Sequence, residues 1–327
     1  MDVTSIDTAI HRGDLDELVR LVDTCCAARD WDAVELLRAA CERAHETGRQ
    51  LWPVSAHAAY RLALEAPGPY AAAVLVEGAG RFAPGPLAEV AAQGHTWREL
   101  APHAPRGASS MIAAHERVVR GEDLTDSPPD GPSVVELPWR LAGWEPAYAL
   151  AEYGADRAEF PSPDTPSLTP IDLPSTPGAM SPDDVVTALL ETTAVWTTES
   201  NGRADAAAVA GDAPDAIAAL SARSVRAAEI TPASALAHVA WAGASGGAHG
   251  RRRGAAAGRF AAWWLAGALA GALDEWPPVE DVLGEMLGSC RWYLWDTAVP
   301  STGWRLQLAI EHAPTGRAWA VAASDAA

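Results

Sequence analysis

Apolar side chains recur with helical spacing through the first half of the chain. In residues 15–22 and 31–41 they stand three or four positions apart, which places them on one face of an α-helix. The pattern continues over 52–65 and near 69–80, 86–93 and 108–120. Segments rich in glycine and proline, such as APGPY and APHAPRG, interrupt the helices. The sequence therefore predicts a helical N-terminal domain over residues 1–155.

A proline-rich stretch separates the two halves of the chain. Seven prolines lie between Asp156 and Pro182, interspersed with serine, threonine and aspartate. This composition is typical of an extended linker or of a strap across a surface, and we assign residues 156–181 to that role. The following sequence, Ser181-Pro182-Asp183-Asp184, predicts a helix start with Ser181 as the capping residue. Just before the stretch, residues 134–153 are ambiguous, because they alternate like a strand but contain a proline.

The spacing of apolar residues changes from helical to alternating near the C-terminus. Helices are predicted from Thr231 to about Trp241 and over 260–273, and apolar residues then alternate over 291–295, 304–311 and 319–321. The alternating segments predict a three-stranded antiparallel sheet. The expected fold is mainly α, with a helical N-terminal domain and a smaller α+β domain over residues 182–327.

Composition and charge exclude several classes of function. The chain is rich in alanine, all 24 of its basic residues are arginine, and its formal net charge is −19. Because arginine is effectively never deprotonated, lysine-dependent pyridoxal enzymes, P-loop NTPases and protein kinases are excluded in their standard forms. The acidic surplus argues against nucleic acid and anionic membranes as partners.

The cysteines and the N-terminus indicate the compartment. None of the four cysteines forms a C-x-x-C pair, which favours a reducing environment. The N-terminus, MDVTSIDTAIHRGD, lacks the basic and apolar regions of a signal peptide, and the longest strongly apolar run, residues 260–273, is too short to span a bilayer. We therefore expect a cytoplasmic protein.

The segment GGAHGRRRGAAAGRFAAWW, residues 246–264, is the candidate functional site. Three cations near a helix start oppose the helix dipole and need anionic partners, which are either carboxylates of the protein or an anionic ligand held by guanidinium groups and free N–H groups. The residues of this candidate anion site are Gly247, His249, Gly250, Arg251, Arg252 and Arg253.

The same segment carries a candidate packing or interface surface. Small residues recur every four positions, so that a second backbone can approach one side of the helix. Arg259 stands four residues before Trp263 and is placed to stack on its ring. For the tryptophan pair we favour core packing with one ring facing an interface. The residues of this surface are Gly254, Gly258, Arg259, Trp263 and Trp264.

Two catalytic patterns occur in incomplete form. Ser245 stands in a G-x-S-x-G pattern, followed by Asp296 and His312 in the order used by α/β-hydrolases, but helix signals rather than strand signals precede it. His115-Glu116 lacks the second histidine of a zinc protease, since position 119 is valine. The sequence indicates neither a cofactor nor a metal, and a serine hydrolase at Ser245 is a remote alternative.

The glycine- and arginine-rich block, RWYLWD at 291–296 and STGWRLQLAIEHAPTGRAWAVAASD at 301–325 together carry a resemblance to a known family. They are similar to uncharacterised alanine- and arginine-rich proteins of high-GC, actinobacterial-type bacteria. The resemblance extends to LWPVSAHAAYRLALEAPGPY and FAPGPLAEV in the first half. It implies a cytoplasmic bacterial protein and no particular activity.

Two functions from different classes remain open at this point. The missing catalytic constellation favours a non-enzymatic protein-binding or scaffold protein that contacts a protein partner or a second copy of itself, although the sequence does not decide whether the protein is an enzyme. The alternative is a protein or enzyme that binds a small phosphate- or nucleotide-like anion at Gly246–Arg253.

Overall fold

The chain folds into two units. A computed structural model describes residues 3–131, 133–174, 178, 181–220, 224–298 and 302–326. Unit 1 contains the described residues of Met1–Val134 and Ala151–Phe160, and unit 2 contains those of Val135–Leu150 and Pro161–Ala327. The chain therefore passes between the units three times, and the proline-rich stretch is divided between them. From Pro161 onwards this stretch belongs to unit 2, where part of it forms a strand.

Unit 1 is built from helices whose apolar faces meet. Leu18 and Val22 of the second helix and Val34 and Leu37 of the third are completely buried, as their spacing predicts. The helices are α1 (Val3–Arg12), α2 (Leu15–Ala27), α3 (Trp31–Glu46), α4 (Trp52–Glu65), α5 (Gly68–Ala73), α6 (Leu87–Gly94), α7 (Trp97–Leu100) and α8 (Ala108–Val119), with a two-stranded sheet of β1 (Glu152–Tyr153) and β2 (Ala158–Glu159).

Unit 2 combines six helices with a second sheet. Its helices are α9 (Asp184–Thr192), α10 (Ala194–Thr198), α11 (Ala213–Ala219), α12 (Pro232–Ala244), α13 (Ala255–Ala270) and α14 (Glu280–Ser289). Its strands are β3 (Thr169–Ile171), β4 (Arg203–Ala210), β5 (Val225–Ile230), β6 (Arg291–Asp296), β7 (Trp304–His312) and β8 (Arg317–Asp325). Among the described residues, none of the helices of either unit is long and apolar enough to cross a membrane.

The prediction of a three-stranded sheet is wrong. The sheet of unit 2 has six antiparallel strands in the order β3-β5-β6-β7-β8-β4. The predicted meander forms its centre as β6, β7 and β8, and β4 and β5 extend it on both sides. β4 has the sequence RADAAAVA, in which alanine replaces the β-branched and aromatic residues that mark strands. Its pairing with β8 along its whole length supplies the stability that its composition does not indicate.

The first helix of unit 2 begins two residues later than the sequence predicts. Asp183, not Ser181, caps α9, and its side chain accepts a hydrogen bond from the Val186 N–H group at 3.1 Å. The Asp183 carboxylate also accepts hydrogen bonds from Arg317 at 2.6 Å and from the Trp319 indole at 2.9 Å. A serine hydroxyl cannot accept this many charge-assisted bonds at once, so the aspartate is the better cap at this position.

The described residues cover the two faces of the six-stranded sheet unequally. Helices α9 and α12 pack on one face, and α13 packs on these two helices. The core of this side contains Trp263 and Trp292, which are completely buried. On the opposite face the seven-residue helix α11 packs against β4, β7 and β8. This second face has a smaller core, centred on Ile217 and Trp295. A cleft lies beside α11, over β3, β5 and β6.

Candidate functional site

The predicted anion site lies in the loop between α12 and α13, and three successive N–H groups of this loop have partners in the protein. The Gly247 N–H group donates to the Ser245 hydroxyl at 2.9 Å, and the Ala248 N–H group donates to the Asp325 carboxylate at 2.6 Å. The His249 N–H group donates to the Ser200 hydroxyl at 3.1 Å. Three successive backbone donors are thus bound to protein oxygens.

Asp325 is the carboxylate that binds the backbone of this loop. It ends strand β8, and only 2% of its surface is exposed. Gly247 lies against it with φ of +70°, and a β-carbon at Gly247 would come within 2.1 Å of the Asp325 carboxylate. Because the position requires both a left-handed backbone and a missing side chain, glycine is the residue that fits it. The sequence signal for Asp325 is only that it ends the last alternating strand.

The three arginines lie before the helix rather than in its first turn. Helix α13 begins at Ala255, and the N–H group of Arg253 donates to the Ala244 carbonyl at 2.8 Å. Arg251 and Arg253 are exposed and Arg252 is half-buried, and Arg251 and Arg252 each interact with another group of the protein. Gly250 packs against the Gly246 backbone and Val195, so a side chain there would collide with the loop itself.

The small residues of α13 allow close packing inside unit 2. A β-carbon at Gly258 would come within 2.1 Å of the Ala240 carbonyl oxygen on α12, and one at Gly243 would come within 2.7 Å of the Ala261 side chain. Gly254 is buried and caps the helix with φ of +97°. The glycine spacing therefore brings two helices of the same chain together.

Arg259 is the centre of a buried polar network that the sequence analysis missed. Its side chain has no exposed surface and forms an ion pair with Glu145 through Nε at 2.8 Å and Nη2 at 2.9 Å. It also donates to the carbonyl oxygens of Pro138 and Arg140, at 2.9 and 2.7 Å. Tyr148 donates its hydroxyl to Glu145, and burial together with the Glu145 charge raises the pKa of Tyr148 well above its usual value.

The two adjacent tryptophans, Trp263 and Trp264, lie in different environments. Trp263 is completely buried; its ring lies 4.9 Å from that of Trp144, and the Arg259 guanidinium lies 5.9 Å from it. Trp264 is half-buried and lies 5.8 Å from Phe260 and 5.3 Å from Trp276, measured between ring centroids. One ring is therefore part of the core, and the other belongs to a surface cluster of three aromatic side chains.

Two exposed valines and several carboxylates lie close to this cluster in the sequence. Val279 and Val282, three and six residues after Trp276, are exposed by 64% and 47%. We call Phe260, Trp264, Trp276, Val279 and Val282 the aromatic patch. Residues 260–289 contain no arginine, lysine or histidine. They contain five carboxylates, which are Asp274, Glu275, Glu280, Asp281 and Glu285.

The structure does not assemble the hydrolase triad. Ser245 is buried, with 1% of its surface exposed, and its hydroxyl accepts the Gly247 N–H bond described above. Asp296 forms an ion pair with Arg226 at 2.6 Å, whereas the His312 ring bonds the Thr315 hydroxyl at 2.8 Å. Asp296 and His312 stand at opposite ends of the β6–β7 pair, on the order of 20 Å apart at the usual rise per residue.

The histidine of the incomplete zinc motif is part of the core of unit 1. His115 is completely buried, and its Nε2 atom lies 2.9 Å from the Ser133 hydroxyl oxygen. Within the described part of the chain, the structure contains no cluster of histidine, cysteine and carboxylate side chains that could hold a metal ion.

Comparison with known proteins identifies a family. No curated protein and no solved structure matches the chain. The model of one protein family matches residues 16–327, which include most of both units and all of the site residues described above. The chain belongs to this family, DUF6183, a family of unknown function.

Proposed function

We propose that this protein binds another protein, and that the aromatic patch receives a basic, partly apolar segment of that partner. The observation that supports this proposal is the combination of half-exposed aromatic rings with a segment, 260–289, that contains five carboxylates and no basic residue. One of these carboxylates, Glu280, pairs with Arg140, which leaves a surplus of negative charge in the segment. Contiguous exposed apolar side chains with a polar border are typical of interaction surfaces.

The chemistry of the patch favours arginine-bearing partners. Tryptophan and phenylalanine bury a large area, and the face of a tryptophan ring attracts a guanidinium group. The carboxylates of Glu275, Asp281 and Glu285 add an attraction for the same cation and accelerate its encounter. A second copy of this chain would bring two acidic borders together, and a net charge of −19 makes that contact repulsive.

The alternative functions receive less support. Because three successive N–H groups of the Gly246–Arg253 loop bind oxygens of the protein, an anionic ligand would have to displace those oxygens to use these donors. A serine hydrolase at Ser245 would need Asp296 and His312 side by side, and these two residues stand at opposite ends of the β6–β7 pair. Neither function is proposed.

The proposal is tested with two matched peptides and two matched variants of the full chain. One peptide is an amphipathic helix with leucine on one face and arginine on the other, and the second carries glutamate in place of arginine. We expect the arginine peptide to bind with a dissociation constant below about 100 μM and the glutamate peptide not to bind. Fluorescence anisotropy of labelled peptides measures both, and added salt weakens the binding.

The variants locate the binding surface. Trp264→Ala and Val279→Ser should each weaken binding of the arginine peptide about tenfold, because each removes apolar contact area from the patch. Val76→Ser is the matched control, since Val76 is an exposed valine of unit 1 (43%), and it should leave binding unchanged. Equal binding of both peptides would contradict the proposal. So would a dimer in light scattering that Val279→Ser converts to a monomer, since the occupant would then be a second copy.

A further inference from the structure

The face of the six-stranded sheet on which α11 packs contains a cleft of about 420 Å³. It lies beside α11, at the part of the sheet formed by β3, β5 and β6, and its volume falls in the usual range of small-molecule sites. The apolar part of its lining comes from Ile171, Ile217, Ala227, Pro214 and the ring of Tyr293. The cleft lies on the face opposite α9, α12 and α13, and it contains no residue of the aromatic patch.

The polar part of the lining has more carboxylates than cations. Glu229, Glu311 and Asp212 supply three carboxylates, and Arg291 is the single basic residue among the residues that line the cleft. Arg291 lies between two of the carboxylates, with its Nη2 atom 2.7 Å from Glu229 and its Nη1 atom 3.5 Å from Glu311. An anion would have to displace these glutamates to reach Arg291, so the cleft disfavours anionic ligands.

All four charged groups act on one tyrosine at the base of the cleft. Burial raises the pKa of Tyr293 to about 12, with further contributions from the negative charges of Glu311, Glu229 and Asp212. The Arg291 guanidinium lies 5.3 Å from the Tyr293 ring centroid. The hydroxyl therefore stays protonated near neutral pH and offers a neutral hydrogen-bonding group inside a net negative cleft.

Two of the carboxylates converge at the start of α11. Asp212 caps this helix and accepts the Asp215 N–H bond at 3.0 Å. Glu311 reaches the same end of the helix, because the N–H group of Ala213, the first residue of α11, donates to its carboxylate at 3.4 Å. The cleft therefore combines an apolar and aromatic base with a polar border that carries a surplus of negative charge.

We propose that this cleft binds a small organic cation, with an ammonium or guanidinium group among Glu311, Asp212 and the Tyr293 hydroxyl and an apolar body against Ile217 and Ile171. The pairing of a cationic head with an apolar body matches the division of the cleft into a polar border and an apolar base. The site is independent of the aromatic patch and of its protein partner.

The experiment uses three probes of the same shape and different charge with the full-length chain. Benzylamine carries the cation, benzyl alcohol is neutral and benzoate is an anion. Saturation-transfer NMR and calorimetry should detect binding of benzylamine that is at least about tenfold tighter than that of benzyl alcohol, and no binding of benzoate. Equal binding of the three probes, tighter binding of benzoate or no binding of benzylamine would each overturn the proposal.

Two variants and one control locate the site. Asp212→Asn removes one charge but keeps a good helix-capping side chain, so α11 is preserved. Glu311→Gln removes the second charge with little change of shape. Each should weaken benzylamine binding about tenfold, and Glu191→Gln, an exposed carboxylate on α9 on the opposite face of the sheet, should not. Unchanged binding in both cleft variants, with unchanged circular dichroism, would place the amine elsewhere and overturn the assignment.

Discussion

A single side chain, Arg259, connects parts of the sequence more than a hundred residues apart. It is buried in the second turn of α13 and bonds both the Glu145 carboxylate and the carbonyl oxygens of Pro138 and Arg140. A buried guanidinium is tolerated only when its donors are satisfied, and here the segment 135–150 supplies the acceptors. The spacing of Arg259 and Trp263 predicted their contact, whereas no pattern in the sequence pointed to Glu145.

Removal of one partner of this buried pair should destabilise unit 2 strongly. We expect Glu145→Gln to lower the free energy of unfolding by about 3–5 kcal/mol, because Arg259 would be left buried without its counter-charge. The measurement is urea denaturation of the full-length chain followed by tryptophan fluorescence.

The control for this prediction is a more exposed ion pair of the same kind. Arg140 and Glu280 lie 2.8 Å apart with side chains 47% and 26% exposed, so Glu280→Gln should cost less than about 1 kcal/mol. If Glu145→Gln and Glu280→Gln lowered the free energy of unfolding equally, burial would not explain the contribution of the Arg259–Glu145 pair to stability.

At the level of elements, the structure shows where composition misleads. The central strands β6 and β7 are rich in tryptophan, leucine and isoleucine, and β8 carries Trp319 and Val321 on one face, so the alternation of all three was evident in the sequence. β4 consists mostly of alanine and was missed, although each of its residues pairs with β8. An alanine-rich segment has weak intrinsic strand preference, so its conformation is decided by the edge of the sheet that it joins.

The start of α9 gives a test of which residue caps the helix. Asp183→Ala should destabilise the protein by about 1–2 kcal/mol, because it removes the cap and the hydrogen bonds to Arg317 and Trp319. Asp183→Asn should cost less, because it keeps the cap and loses the charge.

The matched control for the cap is Ser181→Ala, at the exposed position that the sequence analysis favoured. Thermal and urea denaturation should show a change within about 0.5 kcal/mol for this variant. A larger loss from Ser181→Ala than from Asp183→Ala would contradict the assignment of the cap.

At the level of the whole molecule, each unit contains a histidine that folding keeps neutral. Burial lowers the pKa of His238 in unit 2, where its Nε2 atom lies 3.3 Å from the Asp164 carbonyl oxygen, and burial also lowers the pKa of His95 in unit 1. Because the unfolded chain binds a proton at these positions below about pH 6.5 and the folded chain resists it, both histidines oppose folding in mild acid.

The stability of the protein should therefore fall as the pH falls below about 6.5. Above about pH 6.5 the two histidines do not change the stability, because they are neutral in both the folded and the unfolded chain. Urea denaturation at a series of pH values between 7 and 5 measures this slope, and His238→Gln should reduce it because glutamine does not titrate. A slope that is unchanged in His238→Gln would show that other groups cause the loss.

The sequence alone determined the local features of this protein. Apolar residues at helical spacing located the helices α2, α3 and α4, alternating residues located β6 to β8, and the absence of lysine excluded several enzyme classes, because these properties depend on neighbouring residues or on composition. The tertiary structure decided which distant groups meet. It paired Arg259 with Glu145, set Asp325 against the Gly247 loop, and added β3, β4 and β5 to the sheet. Such contacts join residues that are far apart in the chain, so their energies leave no periodic signal in the sequence.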